Sequence, residues 1–169
     1  MQIIHLAVLM VFPIAMALAA SSDLMTMRIS NKLILILLVA FCIVSLLMEM
    51  PLRDFGMHFA VAISVLVVGF VLFSFGWVGG GDVKFAAATT LWLGFEFAVP
   101  FLVYGAIFGG ALTLAILGLR QLPLPASLGK VGWIDRLHDS KSGVPYGIAL
   151  AIAGMIVYTQ TPIFNHFAH

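Results

Sequence analysis

The sequence predicts an all-α membrane protein, a polytopic bundle of about six transmembrane helices. Three observations predict it. Hydrophobic residues fill 63% of the 169 positions and charged residues only 9%, where a soluble domain carries roughly 25% charged residues. Apolar stretches recur at about 3–20, 33–48, 57–77, 84–97, 98–119 and 144–163, most of them near the ~20 residues that cross a bilayer. The basic residues, finally, are distributed with a strong bias between alternate connections. The net charge of +1 comes without any basic run, which argues against a nucleic-acid partner.

The first stretch imitates a signal peptide, ending in Ala17-Leu18-Ala19-Ala20, but no Lys or Arg precedes Arg28. It therefore reads as a retained first span. The second holds Cys42, the single cysteine; one thiol forms neither an intramolecular disulfide nor a Cys-based zinc site, and it reads as a small buried hydrophobe. The fourth and fifth stretches are separated by one charge, Glu96, and one proline, Pro100. A tight turn is expected between those two residues, leaving the fourth span short, tilted or partly interfacial. The connection 120–143 contains Pro123, Pro125 and Trp133-Ile134-Asp135-Arg136-Leu137-His138. It reads equally as a short interfacial helix or as an irregular basic loop. Gly105 and Gly109 form a small-xxx-small pattern expected to pack spans within the bundle. Trp77, Trp92 and Trp133 read as core or interfacial aromatics. His58, His138, His166 and His169 have no metal-ligand spacing.

Arg28 and Lys32 follow the first span, Lys84 the third, and Arg120, Lys130, Arg136 and Lys141 the fifth; only Arg53 lies in an even-numbered connection. The positive-inside rule then makes the odd connections cytoplasmic and both termini external. Asp23 ends span 1 and Asp82 begins span 4, with two crossings between them. Two crossings return the chain to the same face, so these carboxylates, 59 residues apart in sequence, are expected together at the cytoplasmic boundary.

Ionisable groups at membrane depth are functional-site candidates. Two carboxylates in close proximity share a proton, so that one is basic and the other acidic at a single pH. Such a pair can activate water against a peptide carbonyl and return a proton to the leaving amine. Asp82 closes the run Gly79-Gly80-Gly81-Asp82-Val83-Lys84, whose glycines would let a substrate backbone approach. Each acid also has a plainer reading: Asp82 as a solvated acid in a glycine turn, and Asp23, after Ser21 and Ser22, as the cap of a short helix. The parity of the crossings favours the pair.

Three segments carry a family resemblance. Asp23-Leu24-Met25-Thr26-Met27-Arg28-Ile29-Ser30-Asn31 resembles the first-aspartate motif of type IV prepilin peptidases. Gly79 to Lys84 is similar to their G-x-G-D-x-K motif, and Val144-Pro145-Tyr146-Gly147-Ile148-Ala149 to the Pro-Tyr-Gly run that opens their last span. The resemblance implies a single membrane-embedded peptidase domain over 1–169. It implies an aspartic endopeptidase of the bacterial inner membrane that removes the leader from pilin-like precursors, each a leader peptide plus a hydrophobic helix, at the cytoplasmic face. Asp23 and Asp82 would be the catalytic pair. Gly79, Gly81, Lys84, Arg28, Asn31, Pro145, Tyr146 and Gly147 would support it or bind substrate. Besides the precursor, the partner implied is membrane lipid, and no cofactor or metal is expected. Ser30 stands where the family usually has proline. With one cysteine, the chain also looks like the short form found with tight-adherence (Flp-type) pilus systems, without the zinc-binding segment, and methyl transfer is not expected. Two other readings compete: a presenilin-like intramembrane protease, disfavoured because no Tyr-Asp pair occurs at Asp23, and a small proton-coupled transporter or accessory membrane protein. A transporter would place acids near the midplane, often in inverted halves.

Overall fold

The computed structural model describes residues 2–124 and 131–168, with side chains from His5 onward. Pro125 and Lys130 of the fifth connection lie outside the described residues, as does His169. Among the described residues all regular structure is helical: α1 (Gln2–Thr26), α2 (Asn31–Leu47), α3 (Leu52–Ser74), α4 (Gly80–Leu93), α5 (Phe95–Arg120), α6 (Gly132–His138), α7 (Tyr146–Tyr158) and α8 (Pro162–Ala168). Three helices, at His5–Thr26, Leu52–Ser74 and Phe95–Arg120, are long and apolar enough to span a bilayer; α7 and α8 together make a fourth, bent by 59°. Shorter apolar helices complete an all-helical membrane bundle, whose outward faces carry large apolar side chains such as Leu46, Phe70 and Leu114.

α4 organises the bundle. It has only 14 residues, about 21 Å at 1.5 Å per residue, which is less than the hydrocarbon thickness. Short length is tolerated because α4 is sheathed by protein. Every residue from Phe85 to Leu93 is buried, and α2, α3, α5 and α7 all pack on it. The fourth span is thus short, as expected, and a central helix of the bundle.

Several boundaries differ from the sequence expectation. The turn between α4 and α5 falls at Gly94, whose φ of +80° suits glycine, and a Cβ there would come within 2.8 Å of the His58 ring. Glu96 and Pro100 both lie inside α5, so the turn does not fall between them. Proline six residues into a helix forfeits one backbone bond without ending it. α1 runs on to Thr26, six residues past its expected end, because Ser22 and Thr26 supply hydroxyls to the Arg28 carbonyl beyond it. That excludes the capping reading of Asp23, which sits in the last turn of α1. α3 begins at Leu52, taking in Arg53 and Asp54. The last span breaks after Tyr158 instead of running to 163, with Pro162 opening α8 and the Thr161 hydroxyl accepting from the Phe164 amide at 3.3 Å. Of the two readings of 120–143, the helical one holds for Gly132–His138.

Away from the loops that carry the acids, the core is an aromatic knot. Phe12 stacks on Tyr158 at 4.4 Å between centroids, and Trp92 meets Phe12 and Phe41 edge-on or tilted. The Trp92 indole N–H donates to the Leu37 carbonyl at 2.9 Å. Trp92 is accordingly a core residue; Trp77 and Trp133 lie at the surface. His58 places Nδ1 2.7 Å from the Leu91 carbonyl, a structural role.

Candidate active site

Asp23 and Asp82 line one cavity of about 990 Å³ at one end of the bundle. Each reaches it by a different device. Asp23 is carried by the final turn of α1, which stops at Met27 (φ 54°); the chain then re-enters helix at α2. Ser30, in the proline position of the motif, caps α2 by accepting from the Lys32 amide at 3.2 Å. Asp82 is the third residue of α4, so the glycine run forms the helix's N-terminal cap and first turn.

The Asp23 carboxylate is 4% exposed, and its Oδ2 accepts the Gly147 backbone N–H at 2.7 Å. That donor is one of the amides at the start of α7 that have no partner within their own helix. Glycine is required here for space: a Cβ on residue 147 would lie 2.8 Å from Asp23 Oδ2 and 2.9 Å from Ile29 Cδ1. Gly79 answers the same need for the second acid, since a Cβ there would lie 2.7 Å from Asp82 Oδ2. Gly81 has no such neighbour; its nearest approach is the Ile29 backbone nitrogen at 3.9 Å. Both motif glycines line the cavity.

The remaining expected residues gather at the same place. Arg28, Asn31, Lys84 and Tyr146 line the cavity with the acids, and Lys84 Nζ donates to Asn31 Oδ1 at 3.3 Å. This bond ties the first motif to the second across the start of two helices. Pro145 lies outside the lining; it is buried as the residue that starts α7 and sets the entry of Tyr146 and Gly147. The Tyr146 ring seats against Gly109, where any Cβ would overlap it, and a Cβ on Gly105 would stand 3.1 Å from Leu150 Cδ2. The small-xxx-small pattern therefore packs α5 on α7.

Two contributions escaped the sequence reading. Phe73, Gly76, Trp77, Val78 and Gly143 also line the cavity; their only sequence signal is nearness to the motifs. Arg120 clamps the stretch before α7. Its guanidinium donates to the carbonyls of Leu137 at 2.8 Å and of Ser142 and Gly143 at 3.0 Å. Arg136 likewise donates to the Met25 carbonyl at 2.8 Å, pinning α6 to the end of α1. A lone basic residue closing an apolar helix was the available hint for Arg120.

The family model for the type IV leader peptidase family matches residues 10–114. The chain belongs to that family. The match covers both acids and their motifs, and membership makes the protein a membrane peptidase of the aspartic, leader-removing kind. No curated protein and no solved structure matches the chain.

Proposed function

We propose that this leader peptidase is an aspartic endopeptidase acting on pilin-like precursors at the cytoplasmic face of a bacterial inner membrane, with Asp23 and Asp82 as its catalytic pair. The observation that carries the reading is the convergence of two acids from distant motifs on one cavity, with a backbone N–H held on one of them. The Gly147 N–H keeps the pair's negative charge on Asp23 and leaves the shared proton on Asp82. Asp23 takes a proton from water as the water oxygen bonds to the scissile carbonyl carbon, while Asp82 donates to the carbonyl oxygen. As the tetrahedral intermediate collapses, the C–N bond breaks and the amine leaves with the proton from Asp23. The new carboxyl returns a proton to Asp82. Water is the only co-reactant.

Arg28, Lys32, Lys84, Arg120, Arg136 and Lys141 attach to the segments around this cavity, and the positive-inside rule assigns such an end to the cytoplasm. The test is co-expression with pilin-like precursors followed by mass measurement of the precursor N-terminus. Leader removal is expected from the wild type, and a loss of at least about 10²-fold from Asp23→Asn or Asp82→Asn in protein that still reaches the membrane. Glu96→Gln, remote from the cavity, should process normally. Efficient cleavage by either Asn variant would remove that residue from the pair.

A further inference from the structure

We infer that the slot between α3 and α5 is a side-chain subsite, which selects the precursor by the size of an apolar residue next to the scissile bond. This rests on the peptidase reading above. A second cavity, of about 350 Å³, opens beside Asp82 and runs between α3 and α5, with α4 as its floor. Val78, Asp82 and Tyr146 line both this slot and the larger cavity that holds the two acids. A chain whose scissile carbonyl reaches Asp82 therefore passes the mouth of the slot.

The two spaces differ in chemistry. The larger one offers Arg28, Asn31 and Lys84; apart from Asp82 and Tyr146 at the junction, the slot offers one hydroxyl, Ser64, among aliphatic walls. A substrate spanning both is polar on one side of the cut and apolar on the other. At about 350 Å³ the slot has room for a large apolar side chain, while the scissile backbone stays beside Asp82 at its mouth.

Small residues keep it open. α3 closes onto α4 at Gly69, where a Cβ would stand 2.5 Å from Val83 Cγ1, and α5 presents Gly105 and Ala106 to the space. The walls at Val68 and Ala106 are exposed beyond the helix bundle, so the slot is open sideways, toward the lipid in which a precursor's hydrophobic helix would sit. An occupant arriving laterally and ending at the acids is such a precursor.

The experiment uses full-length protein in detergent micelles and two pilin-like precursors differing only in the residue after the scissile bond, Phe or Ala. The readout is the ratio of kcat/KM for Phe over Ala. Ala106→Phe, which fills the slot, should lower that ratio by about tenfold or more, the scale on which apolar pockets discriminate size. Val68→Ala, which widens it, should raise the ratio and provides the test if Ala106→Phe fails to accumulate. An unchanged ratio in both variants overturns the subsite and would leave the slot to lipid acyl chains. If the wild type cleaves neither precursor while remaining folded, the peptidase reading itself fails, a result distinct from an unchanged ratio.

Discussion

Gly147→Ala isolates the contact that ties α7 to the first acid. The new methyl would stand 2.8 Å from Asp23 Oδ2, 3.1 Å from its carboxyl carbon and 2.9 Å from Ile29 Cδ1. Asp23 is buried in packed surroundings, so relief has to come from moving the carboxylate off the Gly147 N–H. A hydrogen bond to a charged group contributes about 1.5–3 kcal/mol. At about 1.4 kcal/mol per tenfold, its loss predicts a 10- to 150-fold fall in kcat. The assay is single-turnover leader release from a pilin-like precursor by purified protein, followed by gel or mass spectrometry. Gly110→Ala is the matched control, since a Cβ there meets nothing within 4 Å. Full activity in Gly147→Ala would show that the Asp23 contact is dispensable and refute the assignment of charge to Asp23.

Further outcomes follow from other contacts. Arg120→Ala should lower kcat by about tenfold with normal accumulation, because three carbonyls before α7 lose their donor; Arg120→Lys should recover part of it, measured in the same assay. Trp92→Phe removes the indole donor to Leu37 and leaves a void in the knot, destabilising the fold by on the order of 2 kcal/mol, seen as a lower Tm in micelles. Chelators should leave leader release unchanged, because two carboxylates and water suffice for the chemistry and, among the described residues, no three His, Cys, Asp or Glu side chains cluster as a metal site; loss of activity on chelation, reversed by added metal, would reveal a metal requirement.

That Asp23 and Asp82 line one cavity was legible because it depends on counting crossings, and a crossing count survives errors of several residues at each boundary. The boundaries themselves were less legible. Apolar runs mark what faces lipid or core, and helices continue past them when local hydroxyls or caps carry the backbone, as Ser22 and Thr26 do at the end of α1. The glycine run before Asp82 reads as a loop by propensity, yet it forms the first turn of α4 because Gly79 must yield its Cβ space to the acid it precedes. Pro100 drew the α4–α5 turn away from Gly94, whose positive φ no residue count reveals. The Pro145-Tyr146-Gly147 motif was found by resemblance, but its purpose, a free amide aimed at Asp23, is a tertiary fact between residues 124 positions apart. Arg120 was invisible for the same reason.

The aromatic knot has a consequence for the membrane as a whole. Phe12 lies 11 residues before Asp23, Trp92 lies 10 after Asp82, and Tyr158 lies 11 after Gly147. On three helices, then, the knot sits about 15 Å along the axis from the acids. Phe12, Trp92 and Tyr158 are at most 1% exposed. A hydrolase within a bilayer has to admit water without conducting it. Among the described residues the interlocked rings, none of which lines the cavity, fill the bundle on the side of the carboxylates away from its opening and would bar solvent rising from there. Protons exchanged at the proposed pair would then come from and return to one side of the bundle, and its turnover would not draw on the gradient across the membrane.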